Sequence, residues 1–241
     1  MSKSLIAIVA ASAALAGCQV HAQEGGGPTV SRNYNVGNFS AIEVAGPYDV
    51  EVRTGSNASV AGTGGEKLLE RTIVEVDGDK LVIRPQNEHN FFHWGWGSHG
   101  KAHFVVTVPQ LAAAAIAGSG DISVDKVAGP AFDGSVAGSG GINVATMNVQ
   151  QLKLSIAGSG GLKASAGKAQ SGDYSIGGSG DIDAAGIQTQ QAKVSIAGSG
   201  SVKANAAATA DISIMGSGDV DVSGGAKCNI SKAGSGDVRC S

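Results

Sequence analysis

Ile116-Ala117-Gly118-Ser119-Gly120-Asp121-Ile122-Ser123-Val124 decides the reading of the fold, because it returns along the chain. Gly-Ser-Gly begins at Gly118 and again at Gly138, Gly158, Gly178, Gly198, Gly216 and Gly234, at spacings of 20, 20, 20, 20, 18 and 18 residues. Self-similarity at such a period marks a solenoid or an array. Alignment on the first glycine brings out apolar columns. Two residues before it stand Ile116, Val136, Ile156, Ile176, Ile196, Ile214 and then Lys232. Four after it stand Ile122, Ile142, Leu162, Ile182, Val202, Val220 and Val238, and six after it Val124, Val144, Ala164, Ala184, Ala204, Val222 and Cys240. Columns two residues apart have strand periodicity, not helical periodicity.

Each copy therefore reads as two or three short strands broken at Gly-Ser-Gly. Stacked copies set equivalent residues one strand spacing apart, about 4.8 Å. The expectation is an all-β chain: a single-stranded parallel β-helix (solenoid), right-handed, with coils of about 20 residues. A β-propeller needs roughly twice this period per blade, with aromatic signatures. A left-handed helix of six-residue units does not divide these copies.

Composition agrees. Of 241 residues 38 are glycine, and only 4% are aromatic, which suits a narrow interior filled by Ile, Val and Ala. Collagen is excluded by five prolines and no Gly triplet, and a disordered linker by 42% hydrophobic residues. With 17 basic residues against 20 acidic, a nucleic-acid partner is not expected. Glycine serves the corners, where positive φ or close approach of coils is needed. The serines invite a hydroxyl ladder. Asp121, Asp181, Asp219 and Asp237, after the corner, read as turn caps, since calcium-binding β-rolls have about half this period. Lys153, Lys163, Lys193 and Lys203 lie scattered over the outward columns.

Residues 29–110 are less regular. Phe39 to Val52 alternates around Gly46-Pro47, Glu66 to Arg71 suggests one helical turn, and Thr72 to Ile83 a hairpin with Asp77-Gly78-Asp79 at its tip. Phe104 to Val108 is a strand ended by Pro109. These are expected to be irregular first coils or a cap, in one domain (29–241) with the regular repeats of 111–241.

The first residues read as an address. Lys3 precedes the apolar stretch Leu5–Leu15, too short to span a membrane, and Leu15-Ala16-Gly17-Cys18 resembles a bacterial lipobox residue for residue. That implies a signal peptide over 1–17, lipidation of Cys18 as membrane anchor and a flexible tether over 18–28. Gln19, in place of the aspartate of inner-membrane retention, points to the outer membrane. Cleavage after Ala22 is the alternative, giving a periplasmic or secreted protein. With Cys18 lipidated, Cys228 and Cys240 remain, an even pair that reads as a disulfide in an oxidising compartment. It would staple the open end of the stack. The strand edges there make end-to-end pairing with another copy a further expectation.

One insertion, residues 87–103, holds four of the five histidines and both tryptophans. It can be read as a surface or ligand loop, with His89, Phe91, Phe92, His93, Trp94, Trp96 and His99 as candidates for a glycan, a protein or a lipid surface. It can equally be read as a solvated hairpin. Irregular His spacing and no Cys leave no metal set, and no cofactor is expected.

The opening Phe39-Ser40-x-Ile42-x-Val44-x-Gly46, Asp49-Val50, the Gly78 hairpin, Val106-x-Val108-Pro109 and the Gly-Ser-Gly-Asp-Ile repeats together resemble the head GIN domain family, described as autotransporter-type adhesins. The resemblance spans about residues 34–240. It implies a β-helical fold and a secreted or envelope-anchored bacterial protein, and brings no catalytic residues; the His/Trp loop is not part of its pattern. The expected function is a non-enzymatic adhesion or binding module. A carbohydrate-active β-helix enzyme or an envelope assembly factor stands as the alternative, although no acid–base pair can be nominated.

Overall fold

The computed structural model describes residues 27–86 and 101–241, with 75% strand and 2% helix. The chain winds as a β-solenoid of about six turns with coils of about 20 residues. In the strand Asp121–Gly138 the buried positions are Ile122 and Val124, then Val127, then Phe132, Gly134 and Val136. Alternation skips at Asp125-Lys126 and at Pro130-Ala131, where two successive side chains are exposed. At each skip the chain bends, so three short sides share one interior. Parallel pairing sets Ile122 beside Ile142, then Leu162, Ile182 and Val202, and at the shorter spacing Val220 and Val238. The two missing residues of the shorter coils are absorbed at the bend, where pairing shifts between Asp183 and Gln188 and between Thr189 and Gln191. There the buried Thr189 hydroxyl donates to the Asn205 carbonyl at 2.6 Å, so its polarity is satisfied inside.

The corner shows why glycine is needed twice. The first glycine of every corner has φ between 121° and 138°. At Gly138 an added Cβ would also fall on the Gly118 carbonyl oxygen, and at Gly140 on that of Gly120. Coils touch there through backbone: the N–H groups of Ser139, Ser159, Ser179, Ser199 and Ser217 each donate to the first-glycine carbonyl of the coil below, all at 2.9 Å. The ladder at this corner is thus main chain, and the serine side chains face outward. Two of the aspartates after the corner, Asp181 and Asp219, join neighbouring coils rather than cap their own turn. Asp181 accepts from the Ser201 hydroxyl, and Asp219 accepts from the Asp237 N–H at 2.8 Å.

Side-chain volume is balanced within each coil. The inward pair two residues apart is Phe132 and Gly134, then Leu152 and Leu154, Gly172 and Tyr174, Ala192 and Val194, Ala210 and Ile212. A ring is admitted only beside a glycine: a Cβ at Gly172 would meet the Tyr174 ring.

The segment before the repeats forms the first coil and a cap. Gly46-Pro47-Tyr48-Asp49 is itself a corner: the Gly46 N–H donates to Ala117, the Gly120 N–H to Gly46, and Asp49 pairs with Asp121. One face continues downward from Tyr48–Thr54 to the parallel strand Ala102–Val108, then to the antiparallel Ser59–Gly65 and Thr29–Tyr34. The other runs from Ala41–Ala45 to Lys80–Pro85 and the antiparallel Thr72–Asp77, through the expected hairpin at Gly78. The helix Glu66–Glu70 crosses between the faces and buries Leu69. Rings that the coils exclude gather here. Tyr48 meets Phe104 edge-on at 5.7 Å, and Tyr34 lies 6.1 Å from Phe104.

Candidate functional site

Cys18 and the loop residues His89, Phe91, Phe92, His93, Trp94, Trp96 and His99 lie outside the described residues. The strands on either side of the loop are described. The strands Lys80–Pro85 and Ala102–Val108, which precede and follow residues 87–100, pair with the two strands flanking the Gly46 corner. The segment thus leaves and rejoins the fold at the foot of the glycine edge. Beside that point, Lys101 reaches Asp49 at 3.3 Å and His103 Nε2 lies 3.8 Å from Glu51. The Arg53 guanidinium, donating to Glu51 at 2.7 Å, holds its carboxyl below the ordinary value. Among the described residues no group of three or more His, Cys, Asp or Glu is placed to hold a metal ion.

Cys228 and Cys240 are bonded, with Cα atoms 6.7 Å apart. Cys228 stacks on Ala210 and Cys240 on Val222, both inward columns, so the bond crosses the last coil as expected.

The lysines that look scattered in the sequence are not. On one face Asp133, Lys153, Asp173, Lys193 and Asp211 stand in one column, ended by Asn229. On the other, Lys163, Asp183, Lys203, Asp221 and Arg239 stand in another. Charge alternates at every charged step of both ladders, while the two ladder residues that flank any one corner, such as Lys153 and Lys163 or Asp173 and Asp183, carry the same sign. Lys153 lies 3.2 Å from Asp133 and Lys163 3.9 Å from Asp183. Each exposed pair contributes about 0.2–1 kcal/mol. The larger effect is a surface whose charge is cancelled within the sheet. The signal was present in the sequence: one ladder lies five residues after the first glycine of a corner, the other five before it.

Next to the first ladder runs a strip of small side chains. Ser135, Ser155, Ser175, Ser195, Ser213 and Ser231 form one column. Ala117, Ala137, Ala157, Gly177, Ala197, Met215 and Ala233 form the next, with the corner serines beyond. Met215, 70% exposed, is the one large side chain on it. The result is a flat face of hydroxyls and methyls repeating at the strand spacing.

A family model described as "Putative auto-transporter adhesin, head GIN domain" matches residues 38–226. No curated protein matches the chain. Among solved structures, "a putative adhesin" from Bacteroides fragilis NCTC 9343 superposes with a TM-score of 0.80 at 19% identity, over 88% of this chain and 97% of its own. A "putative lipid binding protein" from Parabacteroides distasonis ATCC 8503 gives 0.70 at 23% identity, over 90% and 98%. "A putative adhesin" from Parabacteroides merdae ATCC 43184 gives 0.69 at 21% identity, over 90% and 98%. At such identities these likenesses speak for the fold alone. The family match, running from the strand before the first corner to the last full coils and covering well over half of the sequence, is what places the chain: it belongs to the head GIN domain family.

Proposed function

We propose that this chain is a non-enzymatic, exported bacterial envelope protein, anchored by lipid at Cys18, that binds a glycan or protein partner through the long sides of its solenoid. The observation that carries the reading is the flat strip of Ser and Ala columns beside a charge-cancelled ladder. A face of that kind offers rows of hydroxyls and methyls at one fixed spacing, which suits an extended or repetitive partner better than a small molecule. The family description as an adhesin and the disulfide, which belongs to an oxidising compartment, support the same reading.

The anchor is tested by Cys18→Ala and cell fractionation: the protein should leave the membrane fraction, and its retention there would sink the anchor. The binding face is tested on a glycan array and in a cell-binding assay. Ser155→Arg with Ser195→Arg, which plant bulk and charge on the strip, should lower binding at least about tenfold, some 1.4 kcal/mol. Deletion of residues 87–100 should leave that binding in place. If the deletion abolishes it while the arginines do not, the His/Trp loop is the binding element instead.

A further inference from the structure

The C-terminal coil breaks the repeat at one inward position. Lys232 stands in the column of Ile116, Val136, Ile156, Ile176, Ile196 and Ile214, every one of which is buried. Its ammonium donates to the Gly236 carbonyl at 2.5 Å. Gly236 is the second glycine of its corner, and in the coils below this carbonyl has a fixed use. The carbonyls of Gly120, Gly140, Gly160, Gly180 and Gly200 each accept an N–H from the coil above, at 3.1–3.3 Å. At the end of the stack Lys232 supplies the donor that a further coil would have brought.

The rest of the end remains adhesive. Ile230, in the inward column of Ile212, is 52% exposed, and among the described residues the strand Lys227–Ala233 has a neighbour on one side only, Ser201–Gly216. Ile230 is the middle residue of that strand. Antiparallel pairing with the same strand of a second copy would set Ile230 on Ile230, Asn229 on Ser231 and Lys227 on Ala233, with no like charges opposed. The same pairing sets Lys232 on Cys228, inward and beside the disulfide. The ammonium would then lose water without gaining a counter-ion. An inward-pointing charge on an edge strand is a recognised barrier to edge pairing.

We propose that Lys232 is an end-stop: it closes the last corner of its own chain and keeps this end of the solenoid from pairing with the same end of a second copy. The inference does not depend on the anchor or on the binding strip. It replaces end-to-end association at this end with a blocked edge.

The test is sedimentation equilibrium of the full chain carrying Cys18→Ala, recovered after export. With Lys232 in place the protein should be monomeric. Lys232→Ile, which restores the residue type of the column, should about double the mass, and adding Ile230→Asp should return it to monomer. Lys232→Arg should stay monomeric. Circular dichroism and a thermal melt establish that each variant is folded; Lys232→Val, the residue of Val136, is read by the same criterion. Longer assemblies abolished by Ile230→Asp support the stop equally. A folded Lys232→Ile protein that stays monomeric at high concentration overturns it. So does a dimer already present with Lys232 and dispersed by Ile230→Asp.

Discussion

Tyr48, in the first corner, stands where every later corner has glycine. The residue beneath it is Ala102, the first of the strand Ala102–Val108. Beneath Gly140 is the carbonyl of another corner, Gly120, close enough that a Cβ would collide with it. The same turn therefore accepts a large ring when it begins a stack and only a hydrogen when it continues one. The demand for glycine comes from stacking as well as from φ. The same contrast explains why most of the rings placed by the structure lie at the foot and only Phe132 and Tyr174 in the regular coils.

The largest expected effect breaks the stacked side of that contrast. Gly158→Ala puts a Cβ on the Gly138 carbonyl at a φ of 133°. Backbone strain of about 1–3 kcal/mol adds to the clash, so a loss of about 4 kcal/mol or more is expected, read as a fall in the denaturant midpoint or as loss of soluble protein. Gly37→Ala in the cap, where none of the described residues lies within 4 Å of the new Cβ, should stay within about 0.5 kcal/mol. Equal losses at the two sites would mean that coil contact is not what fixes the corner.

The two regions also use tyrosine differently. The Tyr48 hydroxyl accepts from Thr72 at 3.2 Å, whereas the Tyr174 hydroxyl is buried without a partner among the described residues. Burial pushes the pKa of both phenols up. Replacement by Phe keeps the ring and removes only the polar group. Tyr48→Phe should cost about 1 kcal/mol, and Tyr174→Phe should be neutral or gain about as much. Thermal melts of the two variants should therefore shift apart; a loss at Tyr174 would point to a bound water.

What could be read in advance follows the same division. The coil length, the inward columns and the disulfide were legible because identical coils force identical residues into register. The Gly46 corner was not seen as a copy. It precedes Gly118 by 72 residues, and it lacks the Gly-Ser-Gly triplet, with Ala102 and not the glycine of another corner paired beneath Tyr48. The ladders were missed for another reason. A column that alternates in sign looks variable when residues are compared for likeness, yet the alternation is what places unlike charges in contact. The strip of small side chains fared no better, since Ser and Ala in outward columns look like filler until pairing lays them side by side. Residues 87–100 belong to none of the repeat columns, so the period assigns them no place.

The ladders sharpen the comparison with an effect of intermediate size. Lys153→Asp would stack three carboxylates, at 133, 153 and 173, and should cost about 1 kcal/mol at low salt. Inverting the whole column, with Asp133→Lys, Lys153→Asp, Asp173→Lys, Lys193→Asp and Asp211→Lys, keeps the alternation and should restore most of the loss. The single-variant penalty should shrink in about 1 M salt, where screening acts within about 3 Å. A penalty that survives both inversion and salt would belong to lysine packing and not to charge.

The smallest effect separates the cap from the coils by pH. The Arg53 hydrogen bond, helped by the charges of Arg53 and His103, holds the Glu51 carboxyl below 4.5 in the folded cap. A carboxyl with a lowered folded pKa binds its proton more tightly when unfolded. The stability it contributes is therefore complete above the unfolded value and is lost as pH falls through the folded one. Glu51 lies at the surface, so screening keeps the contribution small. Glu51→Gln should narrow the difference in melting temperature between pH 7 and pH 3, and in amide exchange the narrowing should be confined to Tyr48–Thr54 and its neighbours Ala102–Val108 and Asp121–Val124. An equal change in the last coils would show that the solenoid opens as one unit, so that a charge at its foot is felt at its end.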